Sequence, residues 1–182
     1  MGVPTGETLV HRPDEVVPAR LFRHVAGHYP TGVAVMCCVA GGEPLAMTVN
    51  SFVTVSLEPP LVLVSLLSGG RMAAVLRTGS AFALSVLAEH QAGASQWFAR
   101  SGRARGRTAL DGFDWQSAAV TGSPVLAGSA AYFDCTVESR IPAGDHTLVL
   151  GDVRSVGEPG TGTRPLVFCR GKYGSVDLPG EE

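Results

Sequence analysis

Polar side chains interrupt one alternating stretch of the chain, and they are the first candidates for chemistry. Residues 45–57 alternate as a β-strand does, with Thr48 and Asn50 on one face and Val49 and Ser51 on the other. Hydroxyl and amide groups at this spacing offer hydrogen bonds through side chain or backbone. The stretch predicts a site for a ligand with a polar edge. The alternative is a half-buried strand whose polar face meets solvent.

His146 is a second candidate, because it follows Gly144 and Asp145 at the start of a predicted strand. An imidazole can donate a hydrogen bond or stabilise developing negative charge near neutral pH. Asp145 is expected to shape the turn rather than to take part in chemistry. The alternative for His146 is a strand histidine satisfied by a neighbouring backbone group.

Motifs of several common enzyme classes are absent from the chain. It has no G-x-G-x-x-G between strand and helix, no Walker A loop, no G-x-S-x-G and no H-E-x-x-H. Carboxylates occur singly, which argues against a glycosidase pair. The cysteines form no CxxC pair and lie in apolar segments, which predicts buried, reduced thiols and no metal site; they are Cys37, Cys38, Cys135 and Cys169.

Charge and hydropathy exclude further classes of protein function. The net charge of −2 argues against nucleic acid as a partner. One basic cluster, formed by Arg100, Arg103, Arg105 and Arg107, is either a solvated loop or a site for an anionic ligand. No segment resembles a signal peptide or reaches the ~20 apolar residues of a membrane span. A cytoplasmic protein with no membrane association is expected.

The elements that must position these residues are mostly strands. Strands are predicted over residues 31–40, 45–57, 61–67, 81–87, 130–141, 146–156 and 164–170, with a turn at 142–144. Short helices are predicted over 17–29, 71–78 and 91–100, and a flexible Gly/Arg loop over 101–114. The fold is therefore predicted to be mainly β with short helices, as a closed or half-closed barrel. One domain over 17–176 is expected, between flexible tails at 1–16 and 177–182.

Four segments in this order resemble the flavin reductase family, whose members are reductase components of two-component flavin-dependent monooxygenases. The segments are residues 29–35 (YPTGVAV), 47–62 (MTVNSFVTVSLEPPLV), 81–89 (AFALSVLAE) and 144–153 (GDHTLVLGDV). The resemblance extends over roughly residues 21–173. It implies a split β-barrel of Greek-key type that binds FMN or FAD as a homodimer and uses NADH or NADPH. Reduced flavin would then diffuse to a partner monooxygenase.

The resemblance also implies roles for particular residues. Family members contact flavin on the T-x-N-S stretch, and the segment 65–71 resembles their phosphate-side loop. The implied cofactor-binding residues are Pro30, Thr31, Thr48, Val49, Asn50, Ser51, Ser65, Leu66, Ser68, Gly70, Arg71, Ala81, Phe82, Ala83, Arg170 and Tyr173. His146 would lie in the nicotinamide pocket, as the one candidate catalytic residue.

Several of these assignments have alternatives. Gly70 and Met72 depart from the family pattern, in which a hydroxyl residue is common, and Arg71 is either a compensating phosphate ligand or a solvated helix residue. A plain core role is favoured for Phe82. Arg170 and Tyr173 could instead belong to a surface tail.

The implied chemistry is hydride transfer between two cofactors, which needs no general base from the protein. The sequence does not decide between FMN and FAD, or between NADH and NADPH. It also does not decide between a flavin that stays bound and one that leaves as a product. Two other functions on a related barrel are a pyridoxamine-phosphate-oxidase-like oxidase and a non-enzymatic flavin or haem sensor. The single lysine, Lys172, counts against the oxidase, whose phosphate site would be rich in Lys and Arg.

Overall fold

The computed structural model describes residues 16–102 and 106–176, and strands dominate it. The predicted tails fall outside this range except for residue 16. The strands in the described part are β1 (Thr31–Gly32), β2 (Ala34–Ala40), β3 (Glu43–Val49), β4 (Phe52–Leu57), β5 (Pro60–Leu67), β6 (Ala81–Val86), β7 (Trp115–Ser117), β8 (Pro124–Leu126), β9 (Ala131–Ala143), β10 (His146–Gly157), β11 (Leu166–Cys169) and β12 (Lys172–Ser175). The α-helices are α1 (Ala19–Ala26), α2 (Arg71–Val75) and α3 (Ala92–Ala99). The expectation of a mainly β fold with short helices is confirmed.

None of these helices is long and apolar enough to cross a membrane, as far as residues 16–102 and 106–176 are concerned.

Seven strands form one antiparallel sheet in the order β3-β2-β6-β9-β10-β5-β4. A second sheet has the order β1-β11-β12, and β7 pairs with β8. The edge strands of the large sheet, β3 and β4, are consecutive in the chain and separated only by Asn50 and Ser51. The two edges therefore approach each other at this link, and the sheet curls in the manner of a barrel. Within the described residues no ladder joins β3 to β4.

The prediction of one continuous strand over residues 45–57 is wrong. The chain leaves β2, the partner of β3, at Asn50 and joins β5 through β4 on the opposite edge. Two hydrogen bonds fix the change of partner: the Ser51 hydroxyl donates to the Ser65 carbonyl (2.7 Å), and the Ser65 N–H donates to the Ser51 carbonyl (3.4 Å). The alternation of apolar and polar residues in the sequence continues in phase through the bend, so periodicity cannot detect it. In the structure the core-facing side changes there, because Phe52 packs against the same core as Val49 whereas Val53 is exposed.

The core has two parts on opposite faces of β2. Met36 and Cys38 face one apolar cluster, together with Phe82, whereas Val35 and Cys37 face the other, beneath α3 and β11. A strand buried on both faces reads as a continuous apolar run. This explains the unbroken apolar sequence of β2.

A close approach of strand and ring requires a glycine at position 151. A Cβ added to Gly151 would lie 2.5 Å from Cζ of Phe82 and 3.2 Å from a methyl group of Val62. β9 and β10 also shift register beside this glycine. The glycine therefore lets the large Phe82 ring fill the sheet interior.

A buried carboxylate ties the β7–β8 connection to the large sheet. Asp134 on β9 is completely buried, and its carboxylate accepts hydrogen bonds from the N–H groups of Val120 and Thr121, both at 3.0 Å. The hydroxyls of Thr121 and Ser155 also donate to it. Four donors compensate the burial of this charge.

Four local predictions need correction. The strand predicted over residues 31–40 is divided at Val33, because β1 pairs with β11 in the small sheet while β2 pairs with β3 and β6 in the large one. The predicted turn at 142–144 lies one step later, at Gly144 and Asp145, because β9 continues to Ala143, which pairs with His146. Pro142 is tolerated in β9 since the pairing with β6 has ended by then. The predicted loop 101–114 contains a 3-10 turn at Gly106–Ala109, and the β7–β8 hairpin was not predicted.

Candidate functional site

A cavity of about 210 Å³ lies where β3, α3 and the β11–β12 hairpin meet. Three of the predicted site residues, Thr48, Asn50 and Tyr173, line it. The other lining residues were not predicted and are Val33, Ser95, Ala99 and Phe168. We call this space the central cavity.

A chain of hydrogen bonds forms one wall of the central cavity. The Thr48 hydroxyl donates to the Ser95 carbonyl at 2.6 Å, and the Ser95 hydroxyl lies 2.8 Å from the Tyr173 hydroxyl. Ser95 is completely buried. The network joins β3, α3 and β12, so the Thr48 hydroxyl positions the helix. Its capacity to bind a ligand is correspondingly reduced.

Asn50 presents the free hydrogen-bonding group of the cavity. Its residue is exposed, and its side-chain amide has no hydrogen-bond partner among the described residues. An amide of this kind offers two donors and one carbonyl acceptor to a ligand. The bend that ends β3 places it at the cavity mouth, which a straight strand would not have done.

Thr31 adds an unsatisfied hydroxyl on the same side. Its Oγ1 is buried and has no hydrogen-bond partner within the described part of the chain. Thr31 pairs directly with Phe168, so their side chains point to the same face of the small sheet. Phe168 lines the central cavity, and its ring packs against Tyr173 at a centroid distance of 5.3 Å. Buried polar atoms without a partner are rare and favour a missing ligand contact. Pro30, just before Thr31, is exposed.

A second group of predicted residues gathers at the adjoining ends of β5 and β10. The Ser68 N–H donates to the Asp145 carbonyl at 3.0 Å, and the Ser68 and Thr147 hydroxyls lie 2.9 Å apart. Arg71 follows as the first residue of α2, and its side chain is exposed. A Cβ at Gly70 would lie 2.9 Å from the Leu67 carbonyl oxygen, which explains the departure from a hydroxyl residue there.

His146 stands at this same strand end, opposite Leu67 in the β5–β10 ladder. Its Nδ1 lies 2.7 Å from an Asp145 carboxylate oxygen. This hydrogen bond, followed by the charge of the imidazole, lowers the pKa of the exposed Asp145 carboxyl. The partner of His146 is thus a side-chain carboxylate and not the backbone group weighed as its alternative, and Nε2 has no hydrogen-bond partner among the described residues.

Other predicted residues do not reach a ligand surface. Phe82 and Ala83 have no exposed surface, which agrees with the core role favoured for Phe82. Val49 and Leu66 are also buried in the core, and Ala81 lies half-buried opposite Thr136 on β9. Burial in the core, on one face of the large sheet or the other, removes the four buried side chains from direct contact with any ligand in the central cavity.

The last segment is a strand and not a surface tail. Tyr173 belongs to β12 and pairs with Phe168 of β11. Arg170 lies at the tip of this hairpin, outside the lining of the central cavity. Of the predicted basic cluster, Arg103 and Arg105 lie outside the described residues.

Sequence reasoning missed Ser95 and Phe168. A serine in the mainly apolar helix α3, whose one other polar side chain is Gln96, was the available signal, because a buried hydroxyl needs a partner. Phe168 carried no signal, since an aromatic residue in a strand is most often part of a core.

The buried cysteines take no part in the site chemistry. Desolvation raises the pKa of Cys38 to about 11. Desolvation, with smaller contributions from Asp134 and Asp152, raises the pKa of Cys135 to about 12. Both remain protonated at neutral pH, and a buried thiol is a poor nucleophile.

Known proteins resemble this chain in sequence and in fold. The reductase subunit HsaB of a flavin-dependent monooxygenase from Rhodococcus jostii (strain RHA1) is 37% identical over 163 residues, covering 90% of this chain and 80% of that protein. The NADH-dependent flavin reductase StyB from Pseudomonas fluorescens is 37% identical over 165 residues, with 90% and 93% covered. The NADH:FAD oxidoreductase SgcE6 of Streptomyces globisporus, solved with NAD and FAD fragments, superimposes with a TM-score of 0.80 at 33% identity, over 92% of this chain and 99% of that one. Residues 26–177 match the flavin reductase like domain, and the chain therefore belongs to the flavin reductase like domain family.

Proposed function

We propose that this chain is an NADH-dependent flavin reductase that reduces FMN or FAD and releases the reduced flavin to a partner monooxygenase. The observation that carries the proposal is the central cavity, where the free amide of Asn50 and the aromatic rings of Phe168 and Tyr173 face one space. The names of the relatives support the same reaction and favour NADH over NADPH.

The residues of the cavity fit an isoalloxazine ring. This ring is flat and apolar, with carbonyls and ring nitrogens along one edge, so it requires apolar surface and hydrogen-bonding groups together. Asn50 and Thr31 would supply the hydrogen bonds, and Phe168 and Val33 the apolar surface. The Thr48–Ser95–Tyr173 network would hold the wall against which the ring lies.

The residues at the adjoining ends of β5 and β10 would contact the phosphate-bearing chain of the flavin and the nicotinamide ring. Ser68 and the backbone at Gly70 would contact the flavin phosphate, and the exposed Arg71 would add a positive charge. His146 would orient the nicotinamide carboxamide through Nε2, with Asp145 holding the ring through Nδ1. Bound flavin supplies the redox chemistry by accepting a hydride from the nicotinamide, and the protein residues contribute binding and orientation.

We further propose that the protein is a cytoplasmic homodimer. No residue of α1 is buried, and Phe22 and Val25 are 68% and 56% exposed on its apolar face. An uncovered apolar face of this kind favours a second copy as its cover. The cysteines at all four positions are free thiols, which suits a reducing compartment. A Phe22→Glu variant that stays dimeric by light scattering would remove the argument from α1.

One assay tests the reductase proposal directly. The protein is mixed with NADH or NADPH and excess FMN, FAD or riboflavin, and oxidation is followed at the nicotinamide absorbance band. We expect NADH oxidation that depends on added flavin. Absence of oxidation with every combination would leave the sensor as the better candidate, whereas oxidation of a pyridoxamine phosphate would favour the oxidase.

An Asn50→Ala variant tests the site within the same assay. Loss of one or two hydrogen bonds of about 1 kcal/mol each should raise the KM for flavin about tenfold, with less effect on the KM for NADH. Gln116→Ala is the matched control, because it truncates an exposed amide on β7, outside the central cavity. Equal KM values for the two variants would exclude Asn50 from flavin binding.

A further inference from the structure

A second, strongly basic pocket lies between the end of α1 and the tip of the β11–β12 hairpin. It has a volume of about 250 Å³, several times the roughly 30 Å³ that one water molecule occupies. Its lining consists of Arg23, His24, Gly27, His28, Arg170 and Gly171. None of the described residues that line it is acidic.

Specific backbone contacts build this basic pocket. The Arg170 N–H donates to the Gly27 carbonyl at 2.8 Å, and the Cys169 thiol lies 3.6 Å from the same oxygen. Arg170 has a φ of 51°, which is unusual for a residue other than glycine. Arg170 and Gly171, with a φ of 77°, form the two-residue turn of the hairpin, which requires a positive φ at both positions. The hydrogen bond to Gly27 holds this hairpin tip over the helix end, with Arg170 lining the pocket.

The described residues do not neutralise the charges of the pocket. Arg23 and Arg170 form no ion pair with any described residue, whereas Arg154 and Arg164 pair with carboxylates at 3.2 and 3.0 Å. The carboxyl end of α1 contributes a partial negative charge of about one half. Two guanidinium groups outweigh it, so the pocket carries a net positive charge and suits an anion with several oxygen acceptors.

The hairpin joins the basic pocket to the central cavity. Phe168 and Tyr173 line the cavity as one cross-strand pair, Cys169 and Lys172 form the next pair, and Arg170 follows at the tip. Two residues of strand span about 7 Å. A nucleotide with its ring in the cavity has its phosphate separated from that ring by a sugar or sugar alcohol, and could reach the pocket.

We propose that the basic pocket binds a phosphoryl group of the nucleotide whose ring occupies the central cavity, with Arg23 and Arg170 as its main ligands. The identity of that nucleotide as flavin or nicotinamide substrate rests on the proposed function; the affinity for a phosphoryl anion does not. For FMN, which has one phosphate, the pocket would bind that phosphate in place of Ser68 and Arg71; for a dinucleotide it would be additional to their contacts at the strand end.

Inorganic pyrophosphate tests the pocket without any turnover. Thermal unfolding is followed at constant ionic strength with rising pyrophosphate, for the wild type, the double variant Arg23→Gln/Arg170→Gln and the control Arg154→Gln. An anion that binds only the folded state raises the melting temperature. We expect this rise in the wild type and the control but not in the double variant. No rise in the wild type, or an equal rise in the double variant, would overturn the proposal.

Steady-state kinetics with four substrates then identifies the source of the phosphoryl group. The double variant should show a KM raised about tenfold for the phosphorylated substrate that uses the pocket. A rise for FMN and FAD but not for riboflavin assigns the pocket to the flavin, and a rise for NADH with every flavin assigns it to the nicotinamide substrate. Unchanged KM values for all four would refute the link to the central cavity. A protein without reductase activity that still responds to pyrophosphate would refute the proposed function alone.

Discussion

The hydroxyl of Tyr173 is held by a buried partner, so replacing Tyr173 with phenylalanine should destabilise the protein through Ser95. The Ser95 hydroxyl lies 2.8 Å from the Tyr173 hydroxyl and has no exposed surface. Tyr173→Phe keeps the ring in the central cavity but leaves a buried hydroxyl without its partner. The penalty for such a group is about 1–3 kcal/mol.

The matching change at Ser95 should have a much smaller effect. Ser95→Ala removes the buried hydroxyl altogether and introduces a better helix former into α3. The Tyr173 hydroxyl that remains faces the cavity and can bind water. We therefore expect Ser95→Ala to cost about 1 kcal/mol or less, and the double variant to be more stable than Tyr173→Phe alone.

Urea unfolding, followed by tryptophan fluorescence, measures the free energy of unfolding of the wild type, the two single variants and the double variant. Trp97 lies in α3 itself and reports on the helix that the network holds. The expected coupling free energy between the two positions is about 1–2 kcal/mol. Tyr29→Phe is the control, because Tyr29 is 77% exposed, and its effect should stay within about 0.5 kcal/mol.

Additive effects would refute the reasoning. If the free energies for Tyr173→Phe and Ser95→Ala sum to that of the double variant within about 0.5 kcal/mol, the two hydroxyls do not form a coupled pair. In that case α3 must be held on β3 by packing and by the Thr48 hydrogen bond to the Ser95 carbonyl.

Three further predictions concern the framework. Gly151→Ala should lower the free energy of unfolding by about 1–3 kcal/mol, measured by heat or urea, since the new Cβ overlaps the Phe82 ring. An unchanged unfolding transition would contradict the close packing. Asp134→Ala should lower the free energy of unfolding by about 3–5 kcal/mol, because the donors of the β7–β8 connection lose their acceptor. A loss below about 1 kcal/mol would show that the carboxylate is dispensable. Stability should fall as the pH rises above 9.0, because the thiols of Cys38 and Cys135 have a raised pKa in the folded state and ionise first in the unfolded state. Cys135→Ala should reduce the slope of unfolding free energy against pH by up to about 1.4 kcal/mol per pH unit, and an identical slope would refute this origin.

Much of the local structure could be predicted from the residues alone. The apolar runs of β5, β6, β9 and β10 were each located, with ends shifted by one or two residues. The helix boundaries moved more: α1 begins at Ala19 and α2 ends at Val75, because the apolar spacing extends into segments where no helical hydrogen bonds form. Local periodicity reports the burial of one strand face and says nothing about which strands pair.

The candidate site was predicted only in part. Thr48 and Asn50 of the T-x-N-S stretch line the central cavity together with Tyr173, but this depends on β3 and β12, which belong to different sheets. Val49 lies in the core instead. Phe82 and Ala83 belong to a predicted segment that turned out to be core, because β6 is buried on both faces: Phe82 packs against Gly151 on one, and Ala83 belongs to a cluster with Val125 on the other.

The residues alone indicate a mainly β protein and polar groups suited to a ligand over residues 48–51. They also predict buried thiols, which is confirmed for Cys37, Cys38 and Cys135 but wrong for Cys169, which is only partly buried at the end of β11. The three-dimensional arrangement alone shows that Asn50 stands at a bend and is free to bind, while the Thr48 hydroxyl is committed to α3. It also brought together Arg23 and Arg170, which lie at opposite ends of the chain. The physical reason is that alternation and helical spacing are properties of neighbours in sequence, whereas a binding site is made by contacts between strands and helices that the chain joins over long distances.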